Sequence, residues 1–209
     1  MAGRKIELIV KDDEGKPDVA VTRARELIEK DGVEILTGLQ SSSVALAAMA
    51  VPAEYEKVLV VTTAAADQIT GANFNKYTFR TGSCAYQDAL AGAKFAAREL
   101  GKRFVYFAPD MAWGEDQIKA WKTLVEAEGA TSVAEIKAPM DTTDFTPYLQ
   151  QVLGAQDDAV FVPHTRLQCA RAAAQRCAAP GGRSRLLWDP GATAGRGEGR
   201  LESLPHRVR

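Results

Sequence analysis

Three consecutive serines, Ser41, Ser42 and Ser43, stand where a β-rich run, "VEILTG", gives way to the small apolar residues "VALAAM". A strand-to-helix turn presents unpaired backbone N–H groups at the positive end of a helix dipole. Hydroxyls add donors, so the chemistry on offer is capture of an anion such as a carboxylate. The same residues also suit a plain helix start, with Ser41 as cap and Ser42 and Ser43 in the first turn. Two further strand ends matter. "VTTAAAD", ending at Asp67, is again small and hydroxyl-bearing, and "FAPDMAWGED" (107–116) places Trp113 where a strand yields to a helix. For Trp113 a partly buried packing role is the alternative.

Other chemistries find little support. A Ser-His-Asp hydrolase needs a GxSxG elbow, which is missing, and both histidines, His164 and His206, fall in the C-terminal segment. Neither GxGxxG after a strand nor GxxxxGK[ST] occurs. His164, Cys169 and Cys177 are spaced H-x4-C-x7-C, which matches no common zinc site. The expectation is a protein without catalysis, metal or cofactor.

The elements that would position these turns alternate in type. Strand-like runs are "KIELIV" (5–10), "VEILTG" (33–38), "VLVVTT" (58–63), "YTFRTG" (77–82), "RFVYFA" (103–108), "ATSVAEIKAP" (130–139) and "DAVFV" (158–162). Helical patterns cover 17–32, 41–56 with Pro52 as a bend, 88–101, 113–129 and 144–154. Such alternation with short loops predicts βαβ units and parallel sheets covered on both faces, which take ligands at the carboxyl ends of their strands.

The composition of the 209 residues, 46% hydrophobic and 25% charged, is globular. It divides at Val162: residues 1–162 hold 17 Lys+Arg against 24 Asp+Glu, and residues 163–209 hold 9 against 3 with no lysine. Three cysteines, Cys84, Cys169 and Cys177, form no disulfide framework. The Arg, Ala, Gly and Pro bias of 163–209 is what GC-rich DNA gives when read out of frame, and a basic arm for nucleic acid or membrane is the alternative.

The ordered segments "GRKIELIVKDDEGKPDVAVTRARELIEKDGVEILTGLQSSSVALAAM", "VLVVTTAAADQIT", "YTFRTG", "YFAPDMAWGEDQIKAWKTLVEAEGATSVAEIKAPMDTTDFTPYLQQV" and "DAVFV" resemble the periplasmic branched-chain amino acid-binding proteins of ABC importers, over residues 3–162. The resemblance implies the α/β type I periplasmic-binding-protein fold, in which two doubly wound parallel-sheet lobes close on a ligand, here incomplete at both ends. Residues 1–80 would be a partial first lobe lacking its first strand and helix, 81–162 a partial second lobe, and 163–209 a segment outside the fold. The family's carboxylate-binding serine falls on Ser41, flanked by Gln40 and Ser42. Its second ligand-holding turn falls on Ala64, Ala65 and Ala66, and its aromatic lid on Trp113 before Gly114. The implied function is extracytoplasmic capture of branched-chain or related amino acids or amides for an ABC permease, impaired in this fragment. The implied state is a monomer with no nucleic acid, no membrane insertion and no cofactor. A cytoplasmic amide- or amino-acid-sensing module of the same fold is the alternative, and "MAGRKIELIV" contains no signal peptide.

Overall fold

Apolar residues four apart, Ala20, Ala24 and Ile28, bury one stripe of α1 (Pro17–Glu29), which begins on a proline as helices tolerate at their first turn. The computed structural model describes residues 5–163 and the backbone of residues 185–188. α1 packs on a three-stranded parallel sheet of order β1 (Ile35–Gly38), β2 (Val58–Val61), β3 (Thr78–Arg80). Two short helices, α2 (Ser42–Ala48) and α3 (Ala50–Glu54), join β1 to β2. Pro52 explains the break between them. It has no N–H for the Ala48 carbonyl and its ring crowds that carbonyl, so the helix is interrupted three residues upstream.

The chain then crosses to a second parallel sheet through α4 (Ala85–Glu99). β4 (Arg103–Pro109), α5 (Ala112–Ala127), β5 (Thr131–Ala138), α6 (Thr146–Gly154) and β6 (Ala159–Val162) follow. With Arg185–Trp188 as β7, the sheet order is β5-β4-β6-β7, every pair parallel. Alternation along β4 separates two cores: Phe104, Tyr106 and Ala108 face α4 and α5, while Val105 and Phe107 join Val160, Val162 and Val152 of α6 on the other face. A continuous apolar run is therefore what this strand requires, and Trp121 of α5 stacks on Phe161 at 4.1 Å between ring centroids.

Two expectations need correction. Residues 5–10 form no strand: Ile6, Leu8 and Val10 are exposed and face β1 across a groove of about 840 Å³. A β-rich hexapeptide becomes a strand only when a partner satisfies its backbone, and among the described residues the one strand paired with β1 is β2. Secondly, the segment 163–209 is not wholly outside the fold. Its Arg185–Trp188, "RLLW", is β7 and pairs in parallel along the whole of β6. An average over 47 residues conceals the three apolar residues Leu186, Leu187 and Trp188, a short run that a sheet edge accepts.

Candidate ligand-binding site

The turn after β1 is built on an unusual backbone. Gly38 lies at φ 122° and Leu39 at φ 63°, the latter a left-handed conformation that a non-glycine residue keeps only where its surroundings impose it. Here Leu39 packs against the first-lobe core, and its carbonyl accepts the Ala64 N–H at 3.2 Å. Gly38 O accepts both the Thr62 N–H at 3.0 Å and the Thr62 hydroxyl at 3.2 Å. These bonds clamp the turn after β1 beside the turn after β2.

Within this pair the serines have separate tasks. Ser41 is the N-cap of α2 in extended conformation, yet its side chain makes no capping hydrogen bond. Ser42, 2% exposed, uses its Oγ to accept the Ala66 N–H at 3.1 Å. The first intrahelical bond of α2 runs from Ala45 N–H to Ser41 O, so the N–H groups of Ser42, Ser43 and Val44 have no acceptor inside the helix. Ala66 O takes Arg80 Nη1 at 2.7 Å and Ala65 O takes the Ala85 N–H at 3.0 Å. Among the described residues no acceptor meets the Ala65 N–H. These two adjoining turns therefore hold several unspent donors, the Ser41 hydroxyl among them, of the kind that suit an anion.

The second lobe reaches these turns through the start of α5. Ala112 packs against the first-lobe core, and the buried Asp116 accepts the Asp67 N–H through Oδ2 at 2.8 Å. Trp113, half-buried, lies between those two contacts in sequence. Gly114 permits the approach of α5 to β4, because a Cβ there would collide with the Pro109 carbonyl. Nearby, burial raises the Cys84 thiol above its usual range, helped by a hydrogen bond to Asp67, whose Oδ1 also accepts the Tyr86 N–H at 3.1 Å.

Ser41, Ser42, Ala64, Ala65 and Ala66 are thus neighbours, with exposed Gln40 at the rim and the Trp113 helix docked across from them. The zinc candidates His164, Cys169 and Cys177 lie outside the described residues. Sequence reasoning missed Arg80, Asp67 and Asp116. Arg80 stands in "YTFRTG" and Asp116 three residues after Trp113, but a lone charge has no pattern that announces a main-chain partner 14 or 49 residues away. Among the described residues no helix is long and apolar enough to cross a membrane.

A family model described as periplasmic binding protein matches residues 1–182. The chain belongs to that family. A relative of this periplasmic binding protein, Leu/Ile/Val-binding protein homolog 6 of Brucella abortus (strain 2308), is 27% identical over 161 residues, which is 76% of this chain and 41% of the relative. The solute binding protein of an ABC transporter from Rhodopseudomonas palustris BisB5, solved in complex with 3,4-dihydroxy benzoic acid, superposes with a TM-score of 0.82 at 30% identity, covering 91% of this chain and 53% of that one. An ABC-type branched-chain amino acid transporter from Rhodopseudomonas palustris CGA009 gives 0.65 at 34% identity, covering 89% and 51%. The chain spans about half the length of these proteins. The architecture of two parallel-sheet lobes is that of the type I periplasmic-binding-protein fold, of which this chain covers part.

Proposed function

We propose that this chain is part of an extracytoplasmic solute-binding protein of an ABC importer, and that its ligand is a small monocarboxylate, either a branched-chain amino acid or an aromatic acid. The observation that carries the reading is that the Ser41 hydroxyl, the first N–H groups of α2 and the Ala65 N–H stay unspent in two turns bonded to each other, with the start of α5 bonded to the second of them. Leucine and dihydroxybenzoic acid, the ligand classes of the relatives, differ in their side groups and share a carboxylate. A carboxylate is the group such donors recognise.

In this reading Gln40, Ser41 and Ser42 receive the carboxylate, Ala64, Ala65 and Ala66 line the cleft with main chain, and Trp113 covers the ligand from the second lobe. No bond is made or broken; the output is a closed form presented to a permease. Calorimetric titration of the chain with L-leucine and 4-hydroxybenzoate, each against its carboxamide, tests this. Binding of either acid with loss of about tenfold or more on amidation is expected, because a charge-assisted bond becomes a neutral one. Equal affinity for acid and amide, or no heat with either acid, overturns it.

A further inference from the structure

The peptide unit between Ala66 and Asp67 is held from several directions, and one of the holds comes from the far lobe. We infer that Asp116 is a latch that fixes the start of α5, and with it Trp113, to the Ala64–Asp67 turn, an inference whose purpose rests on the reading of this cleft as a ligand site.

Four hydrogen bonds join that turn to the second lobe among the described residues, one of them the Cys84 thiol bond to Asp67 at the crossing itself. Ala85 N–H to Ala65 O and Tyr86 N–H to Asp67 Oδ1 both come from the first turn of α4, directly after the chain crosses between lobes, where a hinge keeps residues together whether the lobes are open or closed. The bond from Asp67 N–H to Asp116 Oδ2, 2.8 Å, is different: it spans 49 residues and comes from a helix on the other side of the crossing. Asp116 is 8% exposed and takes part in no salt bridge among the described residues, so its carboxylate answers to a backbone N–H rather than to a cation. A buried carboxylate without a donor is costly, and in an open form it would be paired only with water. The bond therefore exists only when α5 sits on the first lobe, and that is what makes it a latch. It also explains why Ala66 is tied on its other side by Ser42 Oγ and Arg80: the turn must be rigid for a single bond on its neighbour to position a helix.

Hydrogen exchange with mass spectrometry on the 209-residue chain, without ligand, tests the latch. In Asp116→Ala, exchange should quicken by about tenfold to a hundredfold together in the 64–70 and 111–116 peptides, the range expected for losing one hydrogen bond to a charged group. Peptides of the 104–108 strand should be unchanged. Asp116→Asn, which keeps an acceptor oxygen but makes the bond a neutral one, should fall between the parent and Asp116→Ala. Asp67→Pro deletes the donor from the other side at a helix-start position that tolerates proline and should loosen 111–116 equally, whereas Asp67→Ala, which keeps the N–H and loses only the side-chain bonds to Tyr86 and Cys84, should leave 111–116 protected. Faster exchange at 64–70 alone would make the bond a local one. Equal loss of protection across the second lobe, or no protection at Asp67 in the parent chain, would also overturn the inference. A failed carboxylate titration leaves this measurement standing, and the reverse holds too, so the two ideas fail separately.

Discussion

Replacing each of two adjacent serines by alanine should give opposite signatures, because the structure commits one hydroxyl and leaves the other uncommitted. In Ser42→Ala the Ala66 N–H loses its acceptor. Ala66 is 0% exposed and Ser42 2%, so water cannot take the vacated place. Stranding a buried donor costs about 1 to 3 kcal/mol. For a chain of this length each kcal/mol lowers the melting temperature by about 2 to 4 °C, so the drop should be about 2 to 12 °C. In Ser41→Ala no capping bond is lost, and stability should change by less than about 0.5 kcal/mol. Affinity for a carboxylate should instead fall by about tenfold to a hundredfold. Thermal and urea unfolding followed by circular dichroism, beside calorimetric titration with 4-hydroxybenzoate, reads both quantities. Should Ser41→Ala melt as low as Ser42→Ala, Ser41 is a structural helix start after all. Should Ser42→Ala melt like the parent, the Ala66 amide is not held as described.

Gly114→Ala should lower the urea midpoint by an amount corresponding to about 1 to 3 kcal/mol, since its Cβ meets the Pro109 carbonyl, which is main chain and cannot swing aside. Glu26 is held down to about 2, chiefly by its hydrogen bond from Arg23, with Lys11 and Lys30 adding to it. Because the folded value lies below the ordinary 4.5, its contribution is present above that value and disappears as pH falls toward about 2; acid titration of Glu26→Gln should lack that part of the pH dependence. Ile6→Lys with Leu8→Lys should leave the unfolding midpoint within about 0.5 kcal/mol of the parent, as both side chains are exposed. The same pair should reduce self-association in sedimentation velocity by charging an unpaired β-prone segment beside an open sheet edge.

The fold was legible wherever local pattern and tertiary demand agree. "RFVYFA" could only be a strand buried on both faces, and the 113–129 pattern appears as α5 within two residues at either end. Pro52 announced the interruption of the helix after the serines, though the break itself falls upstream at Met49. Where pattern and demand part, sequence misleads. "KIELIV" has the composition of a strand and no partner, while "RLLW" lies in a segment of the wrong composition and has one. Strand identity belongs to pairs of segments, and a single segment carries only half of it.

The site divides in the same way. Residue types at strand ends drew attention to the three serines, the "VTTAAAD" stretch and Trp113, because ends of parallel strands are where backbone donors stay unspent, while the assignment to Ser41 and to Ala64, Ala65 and Ala66 came from the family resemblance. Which serine is committed, and to what, depended on where the β2 turn came to rest, 24 residues along the chain. Arg80, Asp67 and Asp116 acquire their tasks only from partners that folding brings near. A hydrogen bond is set by distance and direction in space, and those are properties of the packed chain; the sequence determined which groups could bond, and the tertiary structure decided which of them do.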